Sequence, residues 1–290
     1  MFEGLLTALV TPFRDGQVDE RALEELVEIQ IAAGVDGLVP CGSTGESATL
    51  SHAEHARVVE VVVAAARGRV RVVAGTGSNS TREATIFTQQ AKDAGADGAL
   101  LISPYYNKPS QQGIVEHYAA IAAETAFPLL VYNIPGRTAS NILPATMARL
   151  AEIDQVVGVK ESCGDLDQIA ELISMVPEDF TVLSGDDWAS LPLLAIGGHG
   201  VISTSSNIIP ADMVELVRSW RAGDPARAKD VYYQARSIFN VLFSETNPIP
   251  LKTALALRGL ITDELRLPLT PMSQAGKERL QVAMKEYGLL

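Results

Sequence analysis

The strongest constraint in this chain is a rhythm. Short runs of β-branched and other apolar residues recur eight times, each followed by a longer stretch of helical periodicity. The runs predict strands at Leu5–Val10, Gly37–Val39, Val70–Ala74, Gly98–Ile102, Leu129–Tyr132, Val156–Lys160, Thr181–Leu183 and Gly200–Ser203. Between the first two, "DERALEELVEIQIAAG" sets Leu23, Leu26, Val27 and Ile31 at helical spacing. Asp19 is placed to cap its start and Gly34 to stop it. The unit repeats, since "AAGVDGLVP" from Ala32 is echoed by "DAGADGALLISP" from Asp93. Strands alternating with helices pair in parallel, because a parallel neighbour is reached only through a crossover. Eight such units over roughly 200 residues fit a closed (β/α)8 barrel, the TIM-barrel form of α/β fold, better than an open doubly wound sheet. No G-x-G-x-x-G follows the first strand, which counts against a dinucleotide site.

After Pro225 the strand signals stop, and helical patterns run through "ARAKDVYYQARSIFNVLF", "PIPLKTALALRGL" and "SQAGKERLQVAMKEYGLL". The expected division is a barrel over residues 1–224 and an all-helical extension over 225–290 packed on it. A formal charge of −12 argues against nucleic acid as a partner, though not against small anions met by local cations. No apolar run is long enough to predict a membrane span. The start "MFEGLLTALVTPF" lacks a basic leader and a small-residue cleavage site. Two cysteines, Cys41 and Cys163, make no disulfide framework and fit a reducing cytoplasm. The four histidines and two cysteines show no metal-ligand spacing.

Active sites in such barrels form where the strands end. There the chain gathers "CGSTGES", "SPYYNKP", "YNIPGRT", "SGDD" and, closing the valine run "QVVGVKES", Lys160. A lysine at the mouth of a low-dielectric barrel has its pKa lowered by desolvation and nearby cations. Its neutral amine can attack a ketone, and the resulting imine, once protonated, is an electron sink that turns a neighbouring carbon into a nucleophile. The bland alternative is a lysine paired with a rim carboxylate such as Glu161 or Asp186. The glycines and hydroxyls of "CGSTGES" suit a carboxylate, with Gly42 and Gly45 letting the backbone come close. Tyr132 ends the neighbouring strand, where its phenol could pass protons to and from the imine, unless it is simply a packed aromatic. Arg137, in the following loop, has the planar fork for a second carboxylate, unless it is only a solvated loop arginine.

These segments, with "GTGSNST", "SPYYNKPSQQG", "GVKES", "GGHGVIS" and "NPIPLK", resemble the dihydrodipicolinate synthase family, colinearly from the first strand to "LRLPLTP". The resemblance implies a lyase of diaminopimelate and lysine biosynthesis that condenses pyruvate with L-aspartate 4-semialdehyde through a Schiff base on Lys160. It implies a proton relay of Tyr132, Ser43 and Tyr106, with Tyr106 reaching in from a neighbouring subunit. Ser43 and Thr44, with their backbone amides, would hold the pyruvate carboxylate, the backbone around Gly185 and Ile202 would line its site, and Arg137 would take the semialdehyde. Ser43 departs from the family's usual threonine, keeping the hydroxyl but losing a methyl that restricts its rotamer. No metal or organic cofactor is implied, because the imine itself is the electron sink. Members inhibited by L-lysine bind it at a subunit interface, and the matching positions are Ser47, Ala48, His52, His55, Asn79, Glu83 and Tyr105. A homotetramer built from tight dimers is the implied assembly. The nearest rival is another pyruvate-dependent aldolase of the superfamily, an N-acetylneuraminate or keto-deoxy sugar acid lyase, which has no need of Arg137. A non-catalytic anion-binding barrel needs no proton relay, and a pyridoxal-phosphate enzyme needs a phosphate cup that no segment suggests.

Overall fold

The computed structural model describes residues 1–290. Its strands are β1 (Gly4–Ala8), β2 (Gly37–Val39), β3 (Arg71–Gly75), β4 (Gly98–Ile102), β5 (Leu129–Asn133), β6 (Val156–Glu161), β7 (Thr181–Ser184) and β8 (Gly200–Ser203). Each pairs in parallel with its neighbours in chain order, and β8 returns to β1, so the predicted eight-stranded barrel is closed. Successive side chains of a strand point to opposite faces. One face turns inward, where Phe2, Leu6, Ala8, Val39, Val73, Leu100, Leu130, Tyr132, Leu183 and Ile202 fill the barrel. The other face meets the surrounding helices in a second, larger core. Each fully buried leucine in these layers contributes roughly 2 kcal/mol.

Local signals work as read in the helix Glu20–Ala33. Asp19 accepts the Ala22 amide at 3.1 Å, and Gly34 ends the helix in the left-handed region. The first strand, however, stops at Ala8 and not at Val10. Leu9 N still reaches Val39 O at 3.0 Å, but Val10 N is taken by the Asn207 side chain, so the chain leaves the ladder. A hairpin, Phe13–Arg14 against Gln17–Val18, was not expected. Its turn, Asp15–Gly16, has both residues at positive φ, the geometry that Asp-Gly favours.

Helices Pro225–Leu242, Ile249–Leu257 and Gln274–Tyr287 follow the barrel, matching the three helical patterns. The first rests on the helix Pro210–Arg221, and its Tyr232 hydroxyl donates to Trp188 O at 2.6 Å. The connection to the second carries Phe243 and Asn247 to the mouth of the barrel.

Candidate active site

Parallel register sets Tyr132 beside Lys160 on adjoining strands β5 and β6, both pointing inward at the C-terminal end. Lys160 is 6% exposed and its Nζ stands 4.2 Å from the centre of the Tyr132 ring. It forms no ion pair, and neither carboxylate named as a rival partner holds it. Glu161 points to the outer face, where Asn133 Nδ2 donates to both its oxygens at 3.0 and 3.1 Å and Cys163 N donates at 2.8 Å. Burial pushes the Lys160 amine down to about 8, against the opposing pull of Asp186 and Asp187. Burial and the Asp186 charge push the Tyr132 phenol up, so it stays protonated and able to donate. The Asp186 carboxyl is itself pushed up, chiefly by burial.

Gly42, Ser43, Thr44, Arg137, Gly185 and Asp186 line the same cavity as Tyr132 and Lys160. Thr44 is held in place, its Oγ1 accepting from Asn247 Nδ2 at 2.9 Å and lying 3.5 Å from Thr204 Oγ1. Of the two turn glycines, Gly42 is open on its side-chain face, whereas a Cβ on Gly45 would meet Cys41 N and Leu9 O at 3.1 Å. Gly45 therefore serves the turn's own packing, and only Gly42 leaves room for a ligand. Gly185 is constrained from the other side, because a Cβ there would collide with Ser162 Oγ and come within 2.8 Å of Lys160 Cε. The Ile202 side chain stands in the interior layer that supports the cavity. Arg137 rides on the short helical turn Pro135–Thr138 and donates through Nη2 to Asn247 O at 3.2 Å. Asn133 fixes that loop from behind, its Oδ1 accepting Ile142 N at 3.0 Å.

One buried polar atom of the cavity lining, Asn247 Oδ1, has no bonded partner. Buried polar groups are seldom left so, and bonding capacity left open beside a reactive amine suits a polar substrate. Sequence reasoning missed Ile134, Thr204, Phe243 and Asn247 as cavity residues, and took Asp186 only as a possible lysine partner. "NPIPLK" was visible as a motif, but only folding brings it across the barrel to Thr44.

Tyr106 lies outside the cavity, 89% exposed, with φ at +72°. A non-glycine residue in that region carries a backbone strain of about 1–2 kcal/mol.

A second cavity opens from the first and shares Gly42, Ser43, Tyr132, Arg137 and Asn247 with it. Ser47, Ala48, His55, Glu83 and Tyr105 line it, five of the seven positions matched to a lysine site. His52 joins them through Glu83, Nε2 to Oε1 at 3.0 Å, and Ser78 donates to the other Glu83 oxygen. His52 and His55 share one helix face around Phe87, which stacks on His55 at 4.4 Å. Asn79 is tied in by its carbonyl, which accepts Asn107 Nδ2 at 2.9 Å. Burial lowers the His55 pKa and keeps that ring neutral.

Comparison with known proteins agrees with this geometry. Residues 1–287 match the dihydrodipicolinate synthetase family. A 4-hydroxy-tetrahydrodipicolinate synthase from Nitratidesulfovibrio vulgaris is 55% identical over 290 residues, covering all of this chain and 99% of the relative. The crystal structure of dihydrodipicolinate synthase from Aquifex aeolicus superposes with a TM-score of 0.98 at 46% identity, covering 99% of each chain. An enzyme of the same name from Cyanidioschyzon merolae, solved with lysine bound, superposes at 0.97 with 41% identity, covering 100% of this chain and 99% of that one.

Proposed function

We infer the activity from kinship and geometry together: the chain belongs to the dihydrodipicolinate synthetase family, and it condenses pyruvate with L-aspartate 4-semialdehyde. The observation that carries this reading is Lys160, a buried amine without an ion-pair partner, set under Tyr132 in the cavity that also holds Arg137. Ser43 and Thr44 take the pyruvate carboxylate. The neutral Lys160 amine adds to the ketone, and Tyr132 protonates the departing hydroxyl so that water leaves and the imine forms. Loss of a methyl proton gives the enamine, whose carbon adds to the aldehyde. The amino group of the incoming chain then attacks the imine carbon, releases Lys160 and closes the six-membered ring. Arg137 favours this over sugar-acid cleavage, because a cation fork at the outer rim suits the semialdehyde carboxylate. Borohydride reduction in the presence of pyruvate tests the first step. A reduced pyruvate adduct mapped to Lys160 is expected, and an unmodified Lys160 would overturn the reading.

Only unprotonated Lys160 can attack, so imine formation rises with pH, is half-maximal near pH 8 and levels off above it. At pH 7 the drop from 10.5 to about 8 raises the neutral fraction roughly 300-fold. Asp186 pulls the pKa of Lys160 upward, so Asp186→Asn moves the acid limb to lower pH. Trapping rates with pyruvate alone, measured from pH 6 to 9, check both the limb and its direction of travel.

L-lysine is the ligand we assign to the second cavity, with Glu83 receiving its ammonium. A concave site beside Ser43 and Tyr132, together with the lysine-bound relative, supports the assignment. Titrating lysine through the millimolar range is expected to inhibit the enzyme, and Glu83→Gln to weaken the inhibition at least tenfold. A flat response removes the assignment. The exposed, strained Tyr106 supports a partner subunit completing the relay, within a homotetramer of two dimers. A cytoplasmic location belongs to the same reading and fits two unpaired cysteines.

A further inference from the structure

The turn that carries Ser43 and Thr44 is gripped from the C-terminal extension at two points. Asn247 holds the Thr44 hydroxyl, and Lys252, on the helix Ile249–Leu257, holds Glu46. The Lys252–Glu46 pair is 2.6 Å long, and its side chains are 0% and 1% exposed, unlike every other ion pair of this chain. Lys252 Nζ also donates to Thr11 O at 3.0 Å, while Thr11 Oγ1 donates to Gly45 O at 2.7 Å. The second Glu46 oxygen accepts the Arg266 amide at 3.2 Å, and the Lys252 and Arg266 cations stand 4.2 and 4.3 Å from the centre of the Phe13 ring. Within the turn, Gly45 N and Ser47 N both donate to Gly42 O. Cys41 and Glu46, the residues bounding it, are both in the left-handed region at φ +57° and +52°.

A buried ion pair is weak evidence for stability, since apolar residues of the same volume often serve as well. A turn with left-handed non-glycine residues at both ends persists only where its surroundings over-determine it. We propose that Lys252 is a positioning residue for pyruvate capture: by anchoring Glu46 it holds the turn Cys41–Glu46 in the form that aims Ser43 and Thr44 at a keto acid above Lys160. It touches no substrate and acts through Glu46. Resting on the pyruvate reading above, it extends the catalytic apparatus into a helix beyond the barrel.

The test compares the parent enzyme with the double variant Glu46→Gln/Lys252→Met, which removes both charges at nearly constant volume. Melting temperature, borohydride trapping with pyruvate and the two KM values are measured on each. The expected result is a folded double variant whose KM for pyruvate rises at least tenfold, with the KM for the semialdehyde changed less than threefold. At saturating pyruvate, Lys160 still carries the adduct. A folded variant with an unchanged pyruvate KM overturns the proposal. Should that variant not fold, Glu46→Asp keeps the ion pair but draws the turn toward Lys252. An unchanged pyruvate KM in Glu46→Asp overturns the proposal equally. Failure of the parent to form any adduct strikes instead at the pyruvate reading, so the two failures are distinct.

Discussion

Replacing Lys160 with methionine is expected to lower turnover by roughly 10⁴-fold or more, an increase of about 5 kcal/mol in the barrier. Methionine fills nearly the same volume against Tyr132 and Gly185 but offers no nucleophile. The same change is expected to raise the melting temperature at pH 7. The folded-state pKa of Lys160 lies below its ordinary value, so its protonated form works against folding below about pH 8. The shift from 10.5 corresponds to roughly 3 kcal/mol, relieved as pH climbs from 8 toward 10.5. Removing the amine removes that burden. Circular-dichroism melts beside turnover measurements check both halves, and a variant that is inactive because it is unfolded would contradict the second.

Arg137→Ala is expected to raise the KM for the semialdehyde about 100-fold, close to 3 kcal/mol, as one charge-assisted contact to a carboxylate is lost. Pyruvate capture is expected to survive, because no step of imine formation needs the guanidinium. Arg137→Lys restores charge without the planar fork and recovers only part of the loss. Steady-state kinetics with each substrate varied in turn separate these outcomes. An equal loss toward both substrates would show that Arg137 chiefly holds Asn247, whose carbonyl it binds, and not the second substrate.

All eight barrel strands were legible because each is an apolar run followed by a helical period, most of them after a glycine or proline. The register of β5 on β6 then brought Tyr132 and Lys160 together as expected. What remained hidden has a common cause. The hairpin strands are two residues long, too short for any period, and only "DG" marked them. Asn247 and Lys252 are remote in sequence from the turn they hold, as Phe243 is from the cavity it lines, and no spacing rule reaches across 203 residues to pair Asn247 with Thr44. Nor can a residue count show that Gly45 packs against its own backbone while Gly42 stays open.

Return of β8 to β1 leaves no valine-rich barrel strand with an idle row of amides and carbonyls. Such rows are the templates on which neighbouring molecules zip into insoluble sheets. In concentrated solution, loss of this protein to aggregates must therefore wait until the ring springs open. Turbidity on heating should lag behind unfolding and never lead it.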